Sequence, residues 1–235
     1  MPSPTPISSL IPSVPHPSTL AFLRNLAAHN DKSWFDAHRS EYETARNHHI
    51  DFISELIEGI SAFDPEIAGQ TARSALFRIN RDVRFSKNKA PYKTNFGASL
   101  AKGGRKSTLA GYYFHLEPGA SFVGGGMWMP SPQDLAKVRQ EIDYCLDEFR
   151  EIVESTSFVG QFGGLSEGAD MRLQRVPRGY EADNPAAHYL RFKSFVAMKP
   201  LPDAVLLSAD ALRESIDACK ALHPLLQFLN RAVSE

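Results

Sequence analysis

Apolar residues recur at helical spacing near the start of the chain. Leucines stand at every third position from Leu20 to Leu26, after Ser18 as the expected N-cap, and the pattern ends near His29. A second helical pattern runs on to about Phe63, with apolar residues on one side and glutamate and arginine on the other. These patterns predict a short helix followed by a long one.

The pattern changes from helical spacing to alternation between positions 74 and 129. A period of two is typical of strands with one buried face. Positions 117 to 120 read Glu-Pro-Gly-Ala, which fits a type II turn and predicts a hairpin, and the three glycines at 124 to 126 predict a bend. The residues expected to face the core are Phe77, Ile79, Phe96, Ala98, Leu100, Tyr112, Phe114, Leu116 and Phe122.

Helical spacing returns after the alternating region. Positions 131 to 134 read Ser-Pro-Gln-Asp, a combination of N-cap, first-turn proline and first-turn acid, and apolar spacing continues to Val153. Residues 171 to 198 show short alternating runs that predict strands or loops. A last helical pattern runs from 212 to 222, and we expect Pro224 to divide the C-terminal stretch in two.

These elements together predict an α+β fold. Strands and helices do not alternate regularly, so we expect an antiparallel-rich sheet packed with helices from both ends of the chain. A chain of 235 residues is long enough to form one core without disulfides. Residues 1–17 hold six of the sixteen prolines, which favours an extended conformation. We therefore expect a flexible Pro-rich tail over 1–17 and a single domain over 18–235.

Charge is distributed unevenly along the chain, although the formal net charge is only -1. Residues 73–106 contribute +9 and residues 171–199 contribute +4, which leaves -14 for the remainder. In one interpretation the basic strands pair with the acidic helices, and the cluster is purely structural. In the other, the concentrated positive charge binds an anion such as a phosphate, a carboxylate or a nucleic-acid backbone.

The centre of the basic segment suggests specific roles. If residues 76–84 are extended, Arg81 lies among apolar neighbours and needs a carboxylate or backbone carbonyls as partners. Asp82 then either orients Arg78 or Arg84 in a bidentate pair or serves as a general base or metal ligand. The predicted anion contacts are Arg78, Arg84, Lys89, Tyr92 and Lys93, with Arg81 and Asp82 as supporting residues.

Three functions remain open from these residues. The leading hypothesis is a protein that binds a small anionic ligand at this basic strand-turn-strand; whether it is an enzyme is left open. The second is a nucleic-acid or protein-interaction module on the same surface, since aromatic residues interleave with the cations, but the acidic remainder weighs against broad nucleic-acid binding. The third is the purely structural cluster.

Other chemical signals are weaker. His48 and His49 are adjacent and lack a metal-ligand spacing, so we expect them on a solvated helix face and predict neither a metal site nor a cofactor. His115 is either a general base or a satisfied strand histidine. The cysteines, Cys145 and Cys219, fit a reduced core. No apolar run reaches ~20 residues and no secretory pattern is present, so we expect a cytoplasmic protein without a membrane partner.

The basic segment also carries a family resemblance. Arg78-x-x-Arg81-Asp82-x-Arg84-Phe85, followed by Asn88-Lys89-x-Pro91-Tyr92-Lys93, resembles the signature of domain of unknown function family 2461 of bacteria and fungi. The similarity extends from Leu20 to the C-terminal helices and includes Tyr112-Tyr113, the glycine run before Trp128 and the Pro177-Arg178-Gly179-Tyr180 loop. The resemblance implies one globular domain and supports the Arg/Lys/Tyr cluster. It implies no activity, substrate or cofactor.

Overall fold

The N-terminal helices follow the predicted apolar spacing, with different boundaries. The computed structural model describes residues 14–168 and 170–234, so the predicted tail lies outside the described residues as far as position 13. The first five elements are α1 (Pro17–Ala28), α2 (Lys32–Ala37), α3 (Arg39–Ser61), a 3₁₀ turn (Pro65–Ile67) and α4 (Ala72–Ala75). His16, rather than Ser18, caps α1, because its side chain accepts a hydrogen bond from the Ser18 amide. The long helix predicted up to Phe63 is divided at His38, whose backbone leaves the helical region.

Four strands form an antiparallel meander in chain order. They are β1 (Phe96–Leu100), β2 (Gly111–Leu116), β3 (Phe122–Met127) and β4 (Phe195–Pro200). The hairpin between β2 and β3 is confirmed, since the Ala120 amide bonds the Glu117 carbonyl and Gly119 has a φ of 74°. The bend predicted at 124–126 is wrong, because these glycines pair on both sides inside β3.

The predicted strand around Phe77 and Ile79 is reduced to isolated bridges. Leu76 pairs with Ala98 and Asn80 pairs with Tyr92, so this segment lies along the outer edge of β1 without forming a continuous ladder. Between 171 and 198, the predicted alternation yields the bridge Arg172–Phe192 and the start of β4.

The remaining helices complete the domain. They are α5 (Pro132–Tyr144), α6 (Leu146–Val153), α7 (Thr156–Phe162), α8 (Ala187–Leu190), α9 (Asp203–Leu206) and α10 (Ala211–Ser234). Ser131 caps α5 as predicted, since its side chain accepts from the Asp134 amide. The predicted division of the last helix at Pro224 is wrong: α10 continues through the proline, because residues on both sides, such as Leu222 and Leu225, are fully buried.

One face of the sheet is covered by helices α3 and α10. Phe114 is 1% exposed on this face, and a Cβ at Gly125 would lie 2.9 Å from the Leu222 side chain, so α10 approaches the strand closely because that residue is glycine. His49 also belongs to this core at 1% exposure. The prediction of a solvated face is therefore wrong for His49, which follows buried Ala45 by one helical turn.

The described residues thus form one α+β domain with an antiparallel sheet, as predicted. None of its helices, over 14–168 and 170–234, combines the length and apolarity needed to cross a membrane.

Candidate functional site

The second face of the sheet is only partly covered, and a cavity of about 640 Å³ lies over it. We call it the open-face cavity. Its wall is mainly aromatic and apolar, and hydroxyl groups and one carboxylate add polar positions. The apolar wall includes Phe77, Tyr113, Phe122, Trp128, Met129 and Met198. The polar positions are Ser99, Ser107, Thr108, Ser131 and Asp134. A mostly apolar concavity of this size with a few polar groups is typical of small-molecule sites.

Two wall residues correct the predicted orientation. Phe77 and Phe122 were expected to face the core, yet both line the open-face cavity and are only half-buried. Phe122 is paired with His115, whose side chain points away from the helices, while its neighbour Val123 is buried. Phe122 therefore faces opposite to the predicted direction within a regular strand. Phe77 lies in a segment that does not alternate, since Leu76 and Ile79 on either side of it are both buried.

Glycines form part of the floor of the cavity: Gly126 lines it, and Gly97 and Gly124 lie beside Tyr113 on the same face of the sheet. Gly124 pairs with Tyr113 and Met198, and Gly126 pairs with Val196. A Cβ on Gly97 would meet the Tyr113 hydroxyl at 2.5 Å, so the phenol ring leans across this glycine.

Two exposed apolar side chains lie at the mouth of the cavity, and one of the two residues has a left-handed backbone conformation. Trp128 is 65% exposed and Met129 is 67% exposed. Met129 has a φ of 47°, in the left-handed region, and its amide donates to the Ser194 hydroxyl at 2.9 Å. This conformation costs about 1–2 kcal/mol for a residue other than glycine. Local strain of this kind concentrates at functional sites.

Two cations, Lys93 and Arg105, lie over the Phe77 ring at the edge of the cavity, and a third, Arg78, is close enough for its charge to act on Lys93. We call these three residues the cationic rim. The Lys93 ammonium lies 5.3 Å from the centre of the Phe77 ring and the Arg105 guanidinium carbon lies 5.2 Å from it. Burial, followed by the charges of Arg78 and Arg105, lowers the pKa of Lys93. Among the described residues, no rim side chain forms an ion pair; the Arg105 Nε donates to the Ser74 carbonyl at 3.2 Å.

His115 lies on the same face of the sheet as Tyr113, and both of its ring nitrogens have polar neighbours. Its Nε2 is 3.0 Å from a Glu117 carboxylate oxygen, so Nε2 carries the proton and Nδ1 carries the lone pair. Nδ1 faces the Tyr113 hydroxyl at 3.3 Å and the Asn95 amide nitrogen at 3.4 Å. Burial, then the charge of Glu117, raises the pKa of Tyr113, so its hydroxyl stays protonated. These contacts satisfy the strand histidine and engage the Tyr113 hydroxyl at the cavity wall.

The structure brings together only part of the predicted anion site. Arg78 and Lys93 belong to the cationic rim. Arg84 is engaged by Asp82 in a bidentate pair, with Nε 3.0 Å from one carboxylate oxygen and Nη2 2.7 Å from the other. This pair lowers the pKa of Asp82, chiefly through its hydrogen bonds from Arg84.

The other predicted residues are held inside the turn or against the core. Lys89 donates to the Val83 carbonyl at 3.0 Å. Tyr92 is 7% exposed, and its ring stacks on Phe35 with centroids 4.0 Å apart. Arg81 is half-buried and donates to the Ala90 carbonyl at 3.0 Å, which is the kind of partner that its apolar setting requires.

The basic segment is not neutralised by the acidic helices. In the described part of the chain, the ten cations of residues 73–106 form two ion pairs, Arg84 with Asp82 and Lys102 with Glu66. Neither carboxylate lies in an α-helix. The second basic segment does contact a helix, since Lys199 pairs with Glu214 of α10.

Several site residues were missed from the sequence. Tyr113 follows in-facing Tyr112, so alternation alone places it on the opposite face, together with His115. Arg105 lies in the loop between β1 and β2, and no sequence signal places it beside Phe77, 28 positions earlier. In the described residues, no group of three His, Cys, Asp or Glu side chains is arranged to hold a metal ion.

Comparison with known proteins gives one match. No curated protein and no solved structure matches the chain. The family described as "Conserved hypothetical protein (DUF2461)" matches residues 18–228, which span most of the domain, and the chain therefore belongs to this family, as the Arg/Lys/Tyr signature had indicated.

Proposed function

We propose that the open-face cavity binds a small ligand that combines a phosphate or carboxylate group with a flat apolar body. The observation that carries this proposal is the cationic rim, in which Lys93 and Arg105 both approach the ring of Phe77 without a carboxylate partner among the described residues. Since Phe77 also lines the cavity, an anionic group at the rim and an apolar body in the cavity are adjacent.

Electrostatics favours an anion at this position. Burial and two neighbouring positive charges lower the pKa of Lys93, which means that its positive charge is disfavoured at this position. A phosphate or carboxylate placed between Lys93, Arg78 and Arg105 supplies the missing opposite charge. Charge-assisted hydrogen bonds of this type stabilise a complex by ~1.5–3 kcal/mol each.

The aromatic residues of the cavity wall are suited to bind the apolar part of the ligand. Phe77 meets Tyr113 edge-on with centroids 6.2 Å apart, and Tyr113 lies 5.7 Å from Phe122. The exposed indole of Trp128 extends this wall toward solvent. Stacking a flat group against these rings covers apolar surface that is otherwise hydrated.

The proposal keeps two of the predicted contacts and adds one. Arg78 and Lys93 remain and Arg105 joins them. Arg84 and Lys89 are occupied within the turn, so we assign them to the structure of the turn.

Phenyl phosphate is a suitable probe, and isothermal titration calorimetry measures its affinity. We expect the substitution Lys93→Ala to weaken binding by about tenfold to a hundredfold, which corresponds to ~1.5–3 kcal/mol. Lys87→Ala is the matched control, because Lys87 is an exposed lysine of the same segment. Phenol, which lacks the charge, should bind more weakly and respond little to Lys93→Ala. Equal loss in both variants, or no binding of phenyl phosphate to the wild type, contradicts the proposal.

A second candidate function is contact with single-stranded nucleic acid. Phe85 is 94% exposed at the tip of the basic turn, and the Arg84 guanidinium lies 5.7 Å from its ring centre. Exposed aromatics beside cations provide stacking positions for bases. If this function holds, binding of an oligothymidylate weakens steeply with salt and is lost in Phe85→Ala. No binding at low salt eliminates it.

A further inference from the structure

Three side chains from distant parts of the chain meet beside a second cavity of about 340 Å³. This second cavity lies between the 3₁₀ turn and α10, on the helical side of the sheet. Asp64 precedes the turn, Tyr112 lies in β2 and His223 lies in α10. All three residues line the cavity, although Tyr112 is only 2% exposed and Asp64 only 6% exposed.

The distances show a continuous hydrogen-bonded chain. The Tyr112 hydroxyl donates to Asp64 Oδ2 at 2.9 Å. His223 Nδ1 lies 2.8 Å from the Tyr112 oxygen and 3.4 Å from Asp64 Oδ2. Burial, followed by the charge and hydrogen bond of Asp64, raises the pKa of Tyr112, so the phenol remains protonated.

The hydrogen bonds of Asp64 and Tyr112 indicate which ring nitrogen of His223 carries the proton. Both Asp64 oxygens accept hydrogen bonds: Oδ1 from the Glu66 amide at 3.1 Å, and Oδ2 from the Tyr112 hydroxyl. The Tyr112 oxygen can then only accept from the imidazole, so His223 Nδ1 carries a proton. In the neutral ring, the lone pair therefore lies on Nε2.

This Nε2 atom is available to a ligand. It has no hydrogen-bond partner in the described part of the chain, it is not among the buried unsatisfied atoms, and the side chain is 18% exposed. Phe63 packs edge-on against the imidazole, with centroids 5.6 Å apart, and fixes the ring. At the cavity edge, Lys102 and Glu66 form an ion pair at 3.1 Å, so their charges compensate each other. The cavity thus offers a ligand a hydrogen-bond acceptor, the Nε2 lone pair.

We infer that the second cavity binds a small hydroxyl compound, whose hydroxyl group donates a hydrogen bond to His223 Nε2. Nδ1–H remains bonded to Tyr112, which keeps the lone pair on Nε2, and Tyr112 is held in turn by the Asp64 carboxylate. Tyr112 and Asp64 are positioning residues.

Nitrogen NMR of the full chain tests the first step of this inference. At neutral pH we expect the ¹⁵N spectrum of His223 to show a protonated Nδ1 and an unprotonated Nε2. Benzyl alcohol is the probe for the site, and toluene, which lacks the hydroxyl, is its control. A saturable shift of Nε2 with benzyl alcohol, absent with toluene, supports the inference. A proton on Nε2, or equal responses to both compounds, overturns it.

Chemical modification provides an independent measurement. Diethyl pyrocarbonate reacts with an accessible imidazole lone pair, and peptide mass spectrometry gives a rate for each histidine. We expect Tyr112→Phe to reduce the rate at His223 by about twofold to fivefold, because the fixed tautomer is lost, while the exposed His29 reacts unchanged. If Tyr112→Phe fails to fold, Asp64→Asn should also slow His223, because the amide can donate to the phenol, which then donates to Nδ1 and moves the imidazole proton to Nε2. Unchanged rates in folded variants contradict the inference. All readouts are independent of phenyl phosphate binding.

Discussion

His49 provides a test of how burial controls the acid stability of this domain. The residue is 1% exposed in α3, and in the described structure neither ring nitrogen has a hydrogen-bond partner. Its ring stacks on Phe96 with centroids 5.4 Å apart and lies 6.0 Å from Phe114. Burial, followed by the charge of Arg46, lowers the pKa of His49 from 6.5 to about 3.

The sign and size of the pH effect follow from this difference in pKa. Below pH 6.5 the unfolded chain binds a proton at His49 that the folded chain does not bind until about pH 3. Stability is therefore lost as the pH falls from 6.5 toward 3. At one pKa unit per 1.36 kcal/mol, the loss between pH 7 and pH 5 is about 2 kcal/mol. This is a large fraction of the ~5–15 kcal/mol of a typical domain.

The substitution His49→Leu removes this titration and keeps an apolar side chain in the core. Urea denaturation at pH 7, 6 and 5 should show the variant gaining about 2 kcal/mol over the wild type between pH 7 and pH 5. At pH 7 we expect it to be more stable by ~1 kcal/mol, because two unpartnered polar atoms are removed. His29→Leu, at an exposed histidine, should parallel the wild type. Parallel curves for His49→Leu and wild type would refute the reasoning.

Three further predictions concern other parts of the molecule. Met129→Gly should leave the free energy of unfolding in urea unchanged or raise it by up to ~1 kcal/mol, because glycine adopts the left-handed φ of 47° without a steric penalty. A clear loss of stability would show that Met129 is not strained. Glu117→Gln should lower the pKa of Tyr113, measured by NMR titration, yet leave it above its ordinary value because burial is the larger cause. Arg231→Ala, which removes a bidentate pair with Glu148 on the surface, should cost at most ~1 kcal/mol in thermal unfolding and less in high salt; a loss independent of salt shows that packing, not charge, is involved.

The local sequence pattern was sufficient to predict contacts between residues that are close to each other in the sequence. The alternation in β2 places Tyr112 and Phe114 in the core, because a period of two is imposed by the strand backbone itself. The partner of Arg81 and the pairing of Asp82 with Arg84 also follow from residues within nine positions of each other.

Contacts over long sequence separations could not be derived in this way. Tyr112 meets Asp64 from 48 positions away and His223 from 111 positions away, and no spacing rule connects them. The face occupied by Phe77 depends on how an edge segment pairs with β1, which a sequence period does not determine. His49 is different: its spacing from Ala45 on α3 did contain the correct answer, but its polar side chain was read as a sign of exposure.

The glycine floor of the open-face cavity limits how relatives of this protein can diverge. A Cβ at Gly124 would lie 2.2 Å from the Ala197 carbonyl oxygen, and one at Gly126 would lie 2.0 Å from that of Phe195. Any sequence that keeps this sheet must therefore keep glycine at these two positions. Changes in ligand preference would have to arise in the wall and the rim, so evolution can alter what the cavity selects without altering the surface on which the ligand rests.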